Sequence, residues 1–373
     1  MKNQIDKRKI IFFVGTEAEL IKLFPIMLEL KKNGIEFCII ASGQNDITKS
    51  SLMKVIGEEY LELELSQEGQ IKKTALGLLS WWFQTYRIAG RIIKTKLGEL
   101  ENSIICVHGD TVSTVMGAAI GKKLHLKVMH IEAGLRSHDF LNPFPEEIDR
   151  MITSKFANYH FAPGKTAAEN LSRVKGKVID TECNTIYDSL QYSYKIPYSE
   201  ENIKLENITA SYCVFVLHRQ ENLGNRELVE NIIQELLETS KSIKCIFLLH
   251  KITEVYLQKY GLLDKLKNRP NIMLVPRMQY FDFMKILNGA EFVITDGGSN
   301  QEELFYMGKP CLIMRKTTER NDGIGENALL QGKDNVLIHN FVETYIKYRQ
   351  NAKCFKDSPS EIIAKKIIEI YKQ

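Results

Sequence analysis

The feature that most constrains this chain is an alternation repeated along most of its length: a short apolar run, a turn with glycine or a polar side chain, then helical apolar spacing. Lys9 to Val14 is apolar, and Gly15-Thr16 makes a turn. Glu17 to Lys32 then places Leu20, Ile21, Phe24, Met27, Leu28 and Leu30 on one broad helical face, which Gly34 ends. Glu36 to Ala41 is the next strand, closing at Ser42-Gly43-Gln44. This opening is a βαβ unit and implies a parallel sheet.

The plan recurs with strand Ile104 to Val107, turn His108-Gly109-Asp110-Thr111, a helix through Ala119, strand Lys127 to Ile131 and turn Glu132-Ala133-Gly134. Residues 45 to 100 read as mostly helical, with Trp81-Trp82-Phe83 as packing. The loop from Leu135 to Pro145 precedes a helix starting at Glu146, where a proline suits the first helical turn. Tyr159 to Ala162 is one more strand, and residues 166 to 174 another helix. Between Tyr192 and Ser211 the apolar period fades. The alternation restarts with Tyr212 to Leu217 ending at His218-Arg219, a helix from Arg226 to Ser240, strand Cys245 to Leu249 ending at His250, and strand Ile272 to Val275.

A chain of 373 residues is long for one core and natural for two. The expected fold is α/β, with two doubly wound Rossmann-like domains facing a central cleft. Residues 1–195 form the N-terminal domain and 205–373 the C-terminal one, and packing of the last helix back onto the first domain is an option.

Ala290 to Asp296 is an apolar run ending in polar residues, Gly297-Gly298 breaks it, and Ser299 to Met307 is a short helix stopped by Gly308 with Pro310 beyond. Ser299 and Glu302 have capping-box spacing. A helix start reached through bare glycine backbone suits a phosphate. Glu302 and Glu303 also suit the helix dipole. Cys311 to Arg315 reads as a further strand, leading into the polar loop Lys316 to Arg320.

The net charge of +4 arises from 50 basic and 46 acidic side chains without a dense run of one sign, which argues against nucleic acid. The seven cysteines show no C-x-x-C spacing, and most lie in apolar runs, as in a reducing cytosol. No metal-ligand cluster, cofactor motif, signal peptide or membrane-length apolar segment is apparent. A cytoplasmic protein without a membrane partner is expected.

In doubly wound sheets, ligands lie beyond the carboxyl ends of the strands. There the first half places Gly15, Thr16, Asp110 and Glu132, and the second half His218, Arg219, His250, Thr295 and Asp296. Acids from one half and bases with a glycine turn from the other suit a nucleotide-diphosphate sugar. Each has a plainer reading: Asp110 as an N-cap, Glu146 and Arg150 as an i,i+4 surface pair, Lys22 as an exposed helical lysine.

These stretches together resemble the UDP-N-acetylglucosamine 2-epimerase family, whose fold is the two-domain GT-B type. The resemblance rests on Val14-Gly15-Thr16 with Lys22, His108-Gly109-Asp110-Thr111, His130 to Arg136, Pro143-Phe144-Pro145-Glu146-Glu147 with Arg150, His218-Arg219 with Glu221-Asn222, Thr295-Asp296-Gly297-Gly298 with Gln301-Glu302-Glu303, and Met314-Arg315 with Thr317-Thr318-Glu319-Arg320. It implies inversion at C2, interconverting UDP-GlcNAc and UDP-ManNAc by loss and return of UDP through a 2-acetamidoglucal, for surface polysaccharide precursors. It further implies Asp110, Glu132 and Glu146 as the proton-transfer set, with Lys22 and His218 supporting catalysis. Gly15, Thr16, Arg150, Arg219, His250, Gly297, Gly298, Ser299, Glu303 and Arg320 are the implied substrate-binding positions, and a homodimer the implied assembly.

Three places depart from the family pattern: Glu17 stands where an arginine is common, Gln44-Asn45 where Gln-His is common, and Cys183-Asn184 where Gly-Asn is usual. The alternatives are a hydrolysing epimerase releasing ManNAc and UDP, an epimerase of a modified UDP-hexosamine, a GT-B glycosyltransferase, and a non-catalytic nucleotide-sugar-binding protein.

Overall fold

The computed structural model describes residues 8–66, 75–137, 145–199, 211–267, 269–316, 318, 320–332 and 336–373. His138, Asn142-Pro143-Phe144, Thr317 and Glu319 lie outside the described residues. The chain divides into two compact units, residues 1–189 with 355–373, and residues 190–354.

In the first unit the strands are β1 Ile10–Val14, β2 Cys38–Ala41, β3 Leu61–Glu64, β4 Ile104–His108, β5 Lys127–Ile131, β6 Tyr159–Ala162 and β7 Lys177–Asp180. They form a parallel sheet in the order β3-β2-β1-β4-β5-β6-β7. All five residues of β1 and of β4 are buried, as expected where helices cover both faces of a sheet. The helices are α1 Glu17–Lys32, α2 Ser51–Ile56, α3 Ala75–Leu97, α4 Val112–Lys123, α5 Glu146–Phe156 and α6 Lys165–Asn170, and α7 Ile186–Ser193 runs across the division between the units.

The second unit has strands β8 Tyr212–Val216, β9 Lys244–Leu249, β10 Ile272–Pro276, β11 Val293–Thr295, β12 Cys311–Ile313 and β13 Ala328–Leu330. They too are parallel, in the order β10-β9-β8-β11-β12-β13. Helices α8 Gln220–Leu223, α9 Arg226–Thr239, α10 Lys251–Lys259, α11 Leu263–Leu266, α12 Tyr280–Gly289, α13 Gly298–Met307 and α14 Val336–Thr344 belong to it. The final helix, α15 Pro359–Lys372, packs on α1 in the first unit.

Several elements differ from the sequence expectation, each for a local reason. β3, β7 and β13 are sheet edges; β3 and β7 carry exposed residues rather than an apolar run, and β3 shows only the brief alternation Leu61-Glu62-Leu63-Glu64. Thr111, not Asp110, caps α4: its hydroxyl accepts from the Thr114 amide in a capping box, which leaves the Asp110 side chain for another partner. Gly297 rather than Ser299 stands at the cap of α13, with no side-chain cap bond, so Ser299 and Glu302 form no capping box. The stop at Gly308 agrees with expectation: it sits at φ 66°, left-handed backbone that glycine adopts without cost.

Close approach explains the small residues of α4. A Cβ on Gly117 would lie 2.6 Å from Phe13 Cδ1 of β1, and one on Gly121 would lie 2.5 Å from Ile105 Cγ2 of β4. Pro25 in the middle of α1 lacks the N–H that would bond the Ile21 carbonyl. The Ser189 hydroxyl donates to that carbonyl instead, at 2.5 Å. Ser189→Ala should therefore lower stability by about 1–2 kcal/mol in chemical unfolding. In a Pro25→Ala background, where the backbone supplies its own donor, the same change should cost less.

Candidate active site

In each unit the strand order reverses at one place, between β1 and β4 in the first and between β8 and β11 in the second. Such switch points open a crevice at the carboxyl ends of the strands. Gly15-Thr16 and Gly109-Asp110-Thr111 stand at the first, His218-Arg219 and Asp296-Gly297-Gly298 at the second.

Glu132 follows β5 with φ 61°, a conformation costing about 1 kcal/mol or more for a residue with a side chain. Its carboxylate is almost fully buried and accepts from Lys22 Nζ and Asn184 Nδ2. His108 Nε2 lies 3.9 Å from the same oxygen. Lys22 is thus a buried partner of a buried acid, not an exposed helical lysine. Glu132 Oε1 would be 3.6 Å from a Cβ placed on Gly109, so this carboxylate lies against the turn carrying Asp110. His130 Nε2 lies 2.8 Å from the Gly109 carbonyl oxygen, and burial lowers its pKa to about 4.

Asp110 pairs with Arg150, and Arg150 Nη1 lies 3.4 Å from Glu147 Oε2. Arg150 is 4% exposed, so the expected surface pair with Glu146 is replaced by a pair with Asp110, which ties α5 to the β4–α4 turn, and one with Glu147 within α5. Glu147 also accepts from Arg136 Nε and from the Ser137 amide. Burial alone would raise its carboxyl, but these donors outweigh it and hold the group below the usual range. Glu146 opens α5 and is half-buried. Three residues along, Asp149 is 7% exposed, with its Oδ2 buried and without a hydrogen-bond partner. Burial first, then the charges of Asp110 and Glu146, raise its pKa to about 7.

Gly15 and Thr16 are committed to the protein itself. The Gly15 amide donates to Glu19 Oε2 at 2.7 Å, and the Thr16 hydroxyl caps α1 by accepting from the Glu19 amide. Glu19 also accepts from the Thr111 hydroxyl at 2.6 Å, tying the turn after β1 to the turn after β4. Burial is the main reason its pKa rises to about 7. Glu17 is half-buried and accepts from the Ser50 hydroxyl at 3.1 Å.

In the second unit the organising group is Asp296, which is wholly buried. It accepts from the amides of His218 and Arg219 at 3.0 and 2.8 Å, and its Oδ1 lies 2.9 Å from His218 Nδ1. Burial pushes its carboxyl up, but the His218 side chain and the two amides prevail and hold it below the usual range. His218 thus turns its Nδ1 to Asp296. His250 stacks on His218, ring centroids 4.8 Å apart, and burial followed by the His218 charge lowers its pKa to about 4.

Gly297 donates its amide to Thr295 Oγ1 at 3.0 Å. Gly298 and Ser299 occupy the first turn of α13, where amides have no intrahelical acceptor. Glu303 is buried and accepts from Asn300 Nδ2 at 3.0 Å. Arg320 is buried against α13, donating to Glu302 at 2.5 Å. Arg219 is engaged by Glu221 at 3.2 Å.

The structure therefore gathers Lys22, Asp110, Glu132, Glu146 and Arg150 at one edge of the first sheet, and His218, Arg219, His250, Gly297, Gly298 and Ser299 at one edge of the second. Glu303 and Arg320 sit further along the glycine-turn helix and its following loop. Sequence reasoning did not commit to Glu19, Glu147, Asp149, Asn184 or Asp296. Thr16-x-x-Glu19 is a capping-box spacing that could have marked Glu19; Asp296 ends a strand and Glu147 and Asn184 lie in matched stretches, while Asp149 is recognisable only by its surroundings.

A family model described as UDP-N-acetylglucosamine 2-epimerase matches residues 29–369. The chain belongs to the UDP-N-acetylglucosamine 2-epimerase family. A relative of that name from Methanocaldococcus jannaschii is 32% identical over 92% of this chain and 94% of its own length. One from Salmonella borreze is 35% identical over 86% and 85%. The crystal structure of the M. jannaschii UDP-GlcNAc 2-epimerase in complex with UDP-GlcNAc and UDP has a TM-score of 0.79, at 28% identity over 97% of this chain and 99% of the other. The Neisseria meningitidis UDP-GlcNAc 2-epimerase bound to UDP-GlcNAc gives 0.78 at 26% identity, over 97% of this chain and 100% of the other. The family is one of isomerases, and the fold is GT-B-like.

The charge pairs have measurable consequences for this family member. Lys22→Met strands the Glu132 carboxylate and should lower stability by about 3–5 kcal/mol. Adding Glu132→Gln should restore most of that stability without restoring turnover, as read by chemical unfolding and a UDP-sugar assay. Asp149 has a raised carboxyl pKa: between 3.8 and about 7 the folded state keeps a proton the unfolded chain has lost. Its contribution to stability therefore declines as pH rises through that window and is level above it. Urea midpoints at pH values across the window should fall less steeply with pH in Asp149→Asn than in the unaltered protein.

Proposed function

We propose that this protein is a non-hydrolysing UDP-GlcNAc 2-epimerase, interconverting UDP-GlcNAc and UDP-ManNAc in the cytoplasm for surface polysaccharide synthesis. The observation that carries this reading is the buried Glu132 carboxylate, held by Lys22 and Asn184 against the Gly109-Asp110 turn. Inversion at a carbon whose proton is not acidic needs proton transfer coupled to loss of a leaving group. One carboxylate takes the C2 proton while the C1–O bond to the diphosphate breaks, giving the 2-acetamidoglucal and UDP. UDP then returns to C1, and an acid delivers a proton to the other face of C2.

Asp110, Glu132 and Glu146 are the proton-transfer set, with Lys22 fixing the charge of Glu132 and Arg150 that of Asp110. The diphosphate gains charge as it leaves, and the proposed stabilisers are His218, oriented by Asp296, and the amides opening α13. Glu303 is proposed for the uridine ribose and Arg320 for the sugar-phosphate end. A homodimer is the proposed assembly. It is supported by α3, which exposes Leu79, Phe83 and Ile88, each at least half exposed.

Purified protein given UDP-GlcNAc in D2O should place deuterium at C2 and form UDP-ManNAc, followed by NMR. Free ManNAc with stoichiometric UDP would replace this reading with a hydrolysing one. Asp110→Asn should lose turnover by about a hundredfold or more while UDP affinity stays unchanged; full activity would remove Asp110 from the set.

A further inference from the structure

Beside the turn that ends at Gly134, the first unit has a cavity of about 350 Å³ between α5 and the segment that follows α6. Five cationic side chains line it: Arg136, Arg150, Lys155, Arg173 and Lys175. Arg136 and Arg150 are fixed in place by Glu147 and Asp110. Lys155, Arg173 and Lys175 are exposed at the rim and make no ion pair among the described residues. Converging cations of this kind repel one another until an anion joins them. Asn170, whose amide donates to the Gly134 carbonyl at 2.9 Å, and the buried Ser154 add polar groups to the wall.

We infer that this cavity is a binding site for a small phosphate-bearing molecule, sharing only Arg150 with the groups proposed to act on the UDP-sugar. Three properties select that class. Three rim cations without carboxylate partners among the described residues match an anion of two or three charges, and the two fixed guanidinium groups offer the planar donor geometry that phosphate oxygens accept. The volume is at the low end for small-molecule sites, which suits an inorganic diphosphate or a sugar phosphate better than a whole nucleotide sugar. Apolar side chains of Met151, Leu171 and Val174 complete the lining and leave room for a sugar-sized body. Of the five cations only Arg150 is shared with the acid cluster, so the rim can be altered without touching the proposed catalytic groups.

The test is calorimetric titration of full-length protein, kept saturated with UDP, with inorganic pyrophosphate, orthophosphate and glucose 1-phosphate in separate runs. At least one should bind with one equivalent per chain, and affinity should weaken as salt is raised. The double variant Arg173→Glu with Lys175→Glu should lose at least tenfold in that affinity while UDP-sugar turnover stays unchanged. The milder Arg173→Gln with Lys175→Gln should lose several-fold, which covers the case in which charge reversal harms folding. Binding by pyrophosphate and orthophosphate alone would assign the site to inorganic anions, and preference for glucose 1-phosphate to phosphorylated sugars. Absence of binding by all three at millimolar concentration, or equal binding by the variants, overturns the inference.

Discussion

A carboxylate taken out of water must find a cation, a set of N–H donors or a proton, and the candidate site of this protein is built on that requirement. Glu132 finds Lys22 and Asn184, Asp110 finds Arg150, and Asp296 finds two backbone amides and an imidazole. Asp149 and Glu19 are raised to about 7, the alternative open to a buried acid. Each choice fixes the position of a neighbour: Lys22 is drawn down from α1, α5 is pinned to the β4–α4 turn, and the His218 ring is turned by its Nδ1.

Parallel sheets make this economical. Every strand ends at the same edge, so turns distant in sequence meet there, and a strand-order reversal separates two of them enough to admit a ligand. Glycine serves the same edge by letting backbone approach: Gly15 lies so close to Ser113 that a Cβ would sit 2.2 Å from its hydroxyl oxygen. The hydroxyls of Ser42 and Ser113, 2.7 Å apart, fill that space. The rigidity of the turns thus comes from hydrogen bonds and steric contact that involve no substrate.

Much of the fold was legible in the sequence because buried parallel strands are unbroken apolar runs, as in Ile10 to Val14 and Tyr212 to Val216. The edge strands Leu61 to Glu64 and Lys177 to Asp180 were not, since charged and exposed residues break up their apolar runs. Candidate site residues were legible where they end a strand. Thr111 and Gly297 show the limit: which residue caps a helix depends on where the neighbouring strand delivers the chain, and spacing alone named Asp110 and Ser299.

By itself the sequence determined the α/β class, the parallel order implied by strand and helix in alternation, and a family whose motifs lie at strand ends. Local periodicity carries that information, because burial on two faces and helical spacing are properties of short segments. Tertiary structure alone decided who partners whom. That Lys22 meets Glu132 across 110 positions, that Arg150 reaches Asp110 on a distant turn as well as Glu147 on its own helix, and that Asp149 stays without a hydrogen-bond partner on one oxygen follow from how distant segments converge. The charge state of each group is set by that convergence, since desolvation and Coulomb attraction depend on distance in space and not on separation along the chain.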